Sequence, residues 1–171
     1  MTENHQISRL FKASPKRVFE TWLSGVEKSR GAGIKSTIEP IVNVPFKEVD
    51  GYVTGTNLLL EPYHKIVQAW RTTKFPEGSK NSLVTILLSA SHSGTVATIE
   101  HDDIPVGYSD SCKQFWSDYY LEPLSEYLSV DNRRFMHGRR SFTDAVSRDI
   151  VNIQTATANF GYGSTTRKKS Q

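Results

Sequence analysis

The stretch GYVTGTNLLLEPYHKIVQAWRTTKFPEGSKNS, residues 51–82, decides the fold. Two runs rich in β-branched, aromatic and aliphatic residues, GYVTGTNLLLEP and KIVQAWRTTK, are separated by Glu61-Pro62-Tyr63-His64, whose residue types suit a tight corner. Gly55 inside the first run predicts a bulge. Phe75-Pro76-Glu77-Gly78 predicts the next turn, and SLVTILLSA then places Val84, Ile86 and Leu88 on one face. Ser93-Gly94 turns the chain back into TVATIEHDD. Four strands linked by such turns predict an antiparallel meander.

Upstream, HQISRLFKA predicts a first strand, and Ser14-Pro15 supplies a helix cap followed by a proline at the first helical position. Val18, Phe19 and Trp22 continue at helical spacing, and VEKSRGAG predicts a second short helix or turn closed by its glycines. Pro40 and Pro45 confine IKSTIEPIVNVPFKEVDG to sheet edges or loops, because proline cannot donate to a strand ladder. Downstream, Ile104-Pro105-Val106-Gly107 ends the sheet, and Ser109 or Asp110 is the expected cap of a long helix. Phe115, Trp116, Tyr119, Tyr120, Leu124, Tyr127 and Leu128 recur along it at intervals that make one broad aromatic stripe. Pro123 interrupts that stripe, so a bend is expected there with the Tyr119 carbonyl unpaired or rescued.

A chain of 171 residues suits one domain with an appendage. Its apolar content is 37% and no run approaches the roughly 20 apolar residues of a membrane helix, so a soluble chain is expected. MTENHQISRLF lacks the basic leader and apolar stretch of a secretory signal, which points to the cytoplasm. Cys112, the only cysteine, excludes an internal disulfide or a cysteine metal cluster. Residues 1–130 carry 13 Lys+Arg against 15 Asp+Glu, a net −2, whereas residues 131–171 carry 8 against 3, a net +5. The domain boundary is therefore expected at residues 130/131, with a basic tail that is extended or disordered apart from a short helix near 143–151.

Strand, two helices, meander and terminal helix make an α+β helix-grip arrangement: a curved antiparallel sheet wrapped around a long C-terminal helix. In that order the blocks ASPKRVFETW (13–22), DGYVTGTNLLLEP (50–62), KIVQAWRTTKFPEG (65–78), GTVATIEHDDIP (94–105) and FWSDYYLEPLSEYL (115–128) become recognisable. The chain resembles the AHSA-type branch (activators of heat-shock-protein ATPase) of the START/Bet v 1-like SRPBCC superfamily, in its stand-alone prokaryote-type form. The resemblance spans about residues 5–129. Members often carry glycines just before the segment matching Phe46 to Gly51, where this chain reads NVPFKEVDG. The tail matches nothing in the pattern.

The resemblance implies a hydrophobic site between sheet and long helix, for which Phe19, Trp22, Trp70, Val84, Ile86, Ile99, Trp116, Tyr119 and Tyr120 are the candidate lining; the same residues would equally serve as core. His101, Asp102 and Asp103 form the only dense titratable cluster, but alternation along a strand sends neighbours to opposite faces and argues against shared catalysis or a metal. His5 and His64 are expected in solvent. Cys112, near the start of the long helix, is either activated by the helix dipole or inertly packed. No phosphate loop, zinc spacing or nucleophile elbow is present, so no cofactor, metal or catalytic residue is assigned. In the tail, Arg133, Arg134, Arg139, Arg140, Arg167, Lys168 and Lys169 are interleaved with Phe135, Phe142, Phe160 and Tyr162. That composition suits docking to an acidic protein surface or assembly, nucleic acid, or simple solvation. The leading expectation is a non-enzymatic domain that engages a partner protein, with the tail as second contact. The alternatives are a carrier or sensor of a small hydrophobic ligand and a co-chaperone of an Hsp90-type ATPase.

Overall fold

The computed structural model describes residues 1–137. The compact unit Met1–Asn132 is built from β1 (Thr2–Phe11), α1 (Pro15–Trp22), α2 (Gly25–Glu27), a π-helical turn (Lys28–Ala32), β2 (Pro45–Glu48), β3 (Val53–Glu61), β4 (Lys65–Thr72), β5 (Ser82–Ser91) and β6 (Gly94–Pro105). A long helical stretch follows as α3 (Ser109–Phe115), a second π-helical turn (Trp116–Leu121) and α4 (Glu122–His137). All six strands form one antiparallel sheet in the order β1-β6-β5-β4-β3-β2. The predicted meander is therefore present, and β1 closes onto its last strand.

Alternation explains which face of the sheet carries the core. In β4, Ile66, Gln68, Trp70 and Thr72 are buried, and the register Gln68↔Val84, Ile66↔Ile86 and Ile86↔Ile99 sets the inward residues of β5 and β6 beside them. Helix α1 begins where Ser14 accepts the Arg17 N–H at 3.2 Å and Pro15 follows. It buries Val18, Phe19 and Trp22.

Several local expectations are corrected. The bulge of β3 lies at Leu58, where the register to β4 slips between Asn57 and Leu59, and not at Gly55. Gly55 is there for space: a Cβ on it would sit 2.4 Å from the Phe46 ring and 2.7 Å from the Ala69 carbonyl oxygen. Neither Ser109 nor Asp110 caps α3. Tyr108 holds the cap position, and the Glu3 carboxylate reaches from β1 to accept the Ser109 N–H at 3.1 Å. Amides of Gly107, Ser109 and Tyr108 around that carboxylate hold its pKa below the usual range.

Just upstream of Pro123 the helical pitch changes. Through Trp116–Leu121 the chain forms a π turn in which the Glu122 N–H bonds to the Ser117 carbonyl, five residues back. After β2 the chain turns with Val49, Asp50 and Gly51 all at positive φ, of 51°, 54° and 86°. A β-branched residue in that region is strained. The Val49 N–H donates to the Lys35 carbonyl at 2.8 Å, and Lys35 pairs with Asp50 at 3.0 Å, which holds the turn in place.

Candidate functional site

Four rings expected around a pocket do come together. Trp22 of α1, Trp70 of β4, and Trp116 and Tyr120 of the second π turn are all buried. Trp116 lies 5.3 Å from Trp70 and 4.6 Å from Tyr120 between ring centroids, and Trp22 stacks on Trp116 and Tyr120 at 6.3 and 6.2 Å. Residues four apart share a helix face, which is why Trp116 and Tyr120 point the same way. Val84, Ile86 and Ile99 are buried on the sheet face that carries Trp70. These separations are packing distances, so at this level the side chains fill the space between sheet and helix with one another.

Two of the candidates lie elsewhere. Tyr119 is 51% exposed and stacks on Phe115 at 4.8 Å, on the outer side of the helix. Phe19 meets Tyr63 edge-on at 5.7 Å and contributes to a surface groove. The side chains of Arg133 and Arg134, and Arg139, Arg140, Arg167, Lys168, Lys169 and the 143–151 segment altogether, lie outside the described residues.

Two polar networks run through this core. In the first, the Trp116 Nε1–H donates to His101 Nδ1 at 3.0 Å, which fixes the imidazole proton on Nε2. That Nε2–H donates to Ser82 Oγ at 2.7 Å, and Ser82 donates to the Trp70 carbonyl at 2.9 Å. Every hydrogen-bonding site of the ring is used. Burial, with a smaller contribution from His5, pushes the His101 pKa down to about 3. A serine next to a histidine suggests a nucleophile and its base, but here the proton runs from histidine to serine, the reverse of what activation needs. Asp102 and Asp103 do not join His101. A slip of the β1–β6 register beside them and a positive φ at Asp103 leave His101 inside, Asp102 half-buried and Asp103 exposed.

His5 is not solvated as expected: it lies half-buried, 3.2 Å from Ser109 Oγ and 5.2 Å from the His101 ring centre. Its pKa is lowered by burial and by Lys113, partly offset by Asp110 and Asp102. His64 is exposed. Cys112 is buried, and burial together with nearby Glu3 pushes its thiol up to about 11. The helix dipole does not activate it.

The second network escaped sequence reasoning. Lys28, from the first π turn, and Glu48, from β2, are 1% and 2% exposed and form an ion pair at 2.6 Å. The carboxylate also accepts from the Ser36 hydroxyl at 2.7 Å and from the Tyr120 hydroxyl. The ammonium sits 4.8 Å from the Tyr120 ring centre and 5.4 Å from that of Trp22, a cation against two aromatic faces. Burial lowers the Lys28 pKa against the opposing pull of Glu48, and it raises that of Tyr120 well above the ordinary value. The Trp70 indole N–H lies near enough to favour the ionised Tyr120 oxygen slightly, yet it lacks hydrogen-bond geometry and stays without a partner. The missed signal was strand alternation: with Phe46 inward, Glu48 must also face inward, and an inward carboxylate requires a cation.

A groove of about 470 Å³ opens between α1–α2 and residues 36–40, lined by Phe19, Leu23, Val26, Ile38 and Pro40, with Glu20 and Glu39 at its sides. Its far wall is fixed. The Gly25 N–H bonds to the Ile38 carbonyl at 3.0 Å, and the buried Asn57 amide donates to the Glu39 carbonyl at 2.9 Å. Among the described residues no group of three His, Cys, Asp or Glu could hold a metal, and no helix is long and apolar enough to cross a membrane.

Residues 12–129 match the family model described as activator of Hsp90 ATPase homolog 1-like protein. The chain belongs to the AHSA1 family. Its fold is that of solved AHSA1-like proteins. An HSP90 activator from Plasmodium falciparum superimposes with a TM-score of 0.64 at 22% identity, covering 71% of this chain and 92% of that one. The Aha1 dimer from Colwellia psychrerythraea, solved in solution, gives 0.62 at 15% identity over 74% and 96% of the two chains. An uncharacterised protein of Schizosaccharomyces pombe is 25% identical over 114 residues, which are 67% of this chain. The chain spans about a third of that curated relative's length.

Proposed function

We propose that the chain is a non-enzymatic AHSA1 domain that recognises a partner protein through its surface, with a co-chaperone role on an Hsp90-type ATPase as the first partner class to test. The observation that carries this reading is the occupied interior. The Trp116 ring packs against those of Trp22, Trp70 and Tyr120, and the Lys28 ammonium is seated against Trp22 and Tyr120. A hydrophobic ligand entering there must displace rings and break a buried ion pair, so recognition falls to the outside. In this reading the basic tail, Arg133, Arg134, Arg139, Arg140, Arg167, Lys168 and Lys169, is a second docking element. Tethering two weak contacts raises the local concentration of the second.

Two measurements test it. Full-length protein added to a purified Hsp90-type ATPase should raise its turnover in a saturable way; no change at saturation removes the co-chaperone role. A chain ending at Asn132 should capture the same partner more weakly, by a margin that narrows as salt rises. Equal capture by both forms removes the docking role of the tail.

A further inference from the structure

The groove between α1–α2 and residues 36–40 has properties that its neighbours in the fold do not require. Its floor is apolar: Phe19, Leu23 and Ile38 are nearly buried, whereas Val26 stands 53% exposed at the mouth. Immediately beyond Pro40 the chain continues through Ile41 and Val42, 48% and 40% exposed, so aliphatic surface runs on from the groove wall. Among the described residues, Glu20 and Glu39 are the only ionisable ones that line it, and no lysine or arginine does. Glu20 has one distant partner, Lys16 at 3.9 Å, and the Glu39 side chain has none among the described residues.

The wall is also preformed. A Cβ on Gly25 would lie 2.6 Å from the Ser36 carbonyl oxygen, so only glycine lets α2 approach this segment. Asn57 and Gln68, both buried, hold the Glu39 end from the sheet side, with Gln68 donating to Asn57 at 2.9 Å. A groove held open in the free protein binds without a reorganisation cost.

We propose that this groove docks a segment of a partner protein that presents aliphatic side chains flanked by lysine or arginine. The proposal rests on the partner-binding reading above and assigns a surface to it. Charge complementarity selects the occupant: two exposed carboxylates over an apolar floor favour a cationic amphipathic segment and disfavour fatty acids or anionic lipid, which would bring their own negative charge.

The probe is a short, fluorescein-labelled amphipathic peptide of leucine and lysine, with a leucine and glutamate peptide of the same pattern as its counterpart. Fluorescence anisotropy with the full chain should show the lysine peptide binding at least about tenfold more tightly, a preference that shrinks with added salt. Val26→Asp, at an exposed site, should weaken the lysine peptide about tenfold. The Glu20→Lys/Glu39→Lys double variant should reverse the preference between the peptides. Hydrogen exchange should slow at residues 19–26 and 36–40 on binding. Equal affinity for the two peptides, or affinity indifferent to these variants, overturns the proposal. So does slowed hydrogen exchange at residues 19–26 and 36–40 with dodecylamine when neither peptide binds, which would make the groove a small-molecule site. ATPase stimulation separates this proposal from the broader reading: stimulation undiminished by Val26→Asp refutes the groove alone. Groove-dependent peptide binding without any stimulation refutes the co-chaperone role alone.

Discussion

One turn apart on the same helix, Trp116 and Tyr120 enter two buried polar networks built on opposite principles. Around Trp116 the partners are neutral: indole, imidazole, serine and a backbone carbonyl pass hydrogen bonds in one direction, and each buried donor finds an acceptor. Around Tyr120 they are charged: Lys28 and Glu48 face each other with almost no water, and hydroxyls from Ser36 and Tyr120 complete the carboxylate. The neutral network is made costly by protonation. The charged one is made costly by loss of a partner, because the survivor remains in a medium that solvates charge poorly. Stability should therefore respond to pH through His101 and to truncation through Lys28.

The largest effect is expected from the charged network. Lys28→Ala should lower unfolding free energy by about 3–5 kcal/mol, since Glu48 keeps two hydroxyl donors but no counter-cation. The Lys28→Met/Glu48→Leu double variant should recover most of that loss, as apolar replacements of buried ion pairs often do. Urea titration of the three proteins measures the loss and its recovery. A single-variant loss below about 1 kcal/mol would mean that water solvates the pair after all.

Acid comes next. The His101 pKa lies at about 3 in the fold against 6.5 when unfolded, so between those values the unfolded chain binds the extra proton. The resulting stability is complete above pH 6.5, begins to fall below it, and continues to fall until pH drops through about 3. At pH 5.5 the loss from this group alone is about 1.4 kcal/mol. His5 adds to it with the same sign, because its pKa is also lowered. Thermal midpoints between pH 6.5 and 5, above the range where carboxylates titrate, should fall more steeply for the native chain than for His101→Gln. Parallel slopes would show that the imidazole is not held neutral by burial.

Tyr120→Phe isolates one hydrogen bond of the charged network while leaving the stacked ring. Removing one donor from the buried carboxylate should cost about 1–3 kcal/mol. Its tyrosine absorbance offers a second readout: the hydroxyl of Tyr120 should resist ionisation at a pH where exposed tyrosines titrate, since burial and Glu48 both raise its pKa.

What the sequence could convey follows the range of the interactions involved. Proline, glycine and strand alternation are local, and they placed the meander, the edge position of Pro45 and the start of α1 at Ser14-Pro15. The helix-grip arrangement then followed because the blocks occur in order. Pairings across long separations could not be read locally. Glu3 capping α3, Lys28 meeting Glu48 and Trp116 meeting His101 join elements that only the closed sheet brings together. Gly55 was misread because a glycine within a strand serves equally for a bulge or for a neighbouring ring, and only Phe46 on the adjacent strand decides between them. The candidate site was half legible. Aromatic spacing gathered Trp22, Trp70, Trp116 and Tyr120, whereas the charged groups beneath them carried no aromatic signal.

Tyr119 gives the smallest effect and the sharpest test of helix phase. Along a uniform α-helix the stripe from Phe115 to Leu128 is too broad to tell which of two adjacent tyrosines faces inward. The π turn resolves it by adding a residue to one turn, which brings Trp116, Tyr120, Leu124 and Leu128 to the buried side and leaves Tyr119 51% exposed against Phe115. Tyr119→Ser should therefore change stability by less than about 0.5 kcal/mol, as surface substitutions do. Tyr120→Ser, one position later, should cost several times more through the lost ring and the stranded carboxylate. If the two variants were equally destabilising, the π turn would be absent in solution and the helix would present both rings to the sheet.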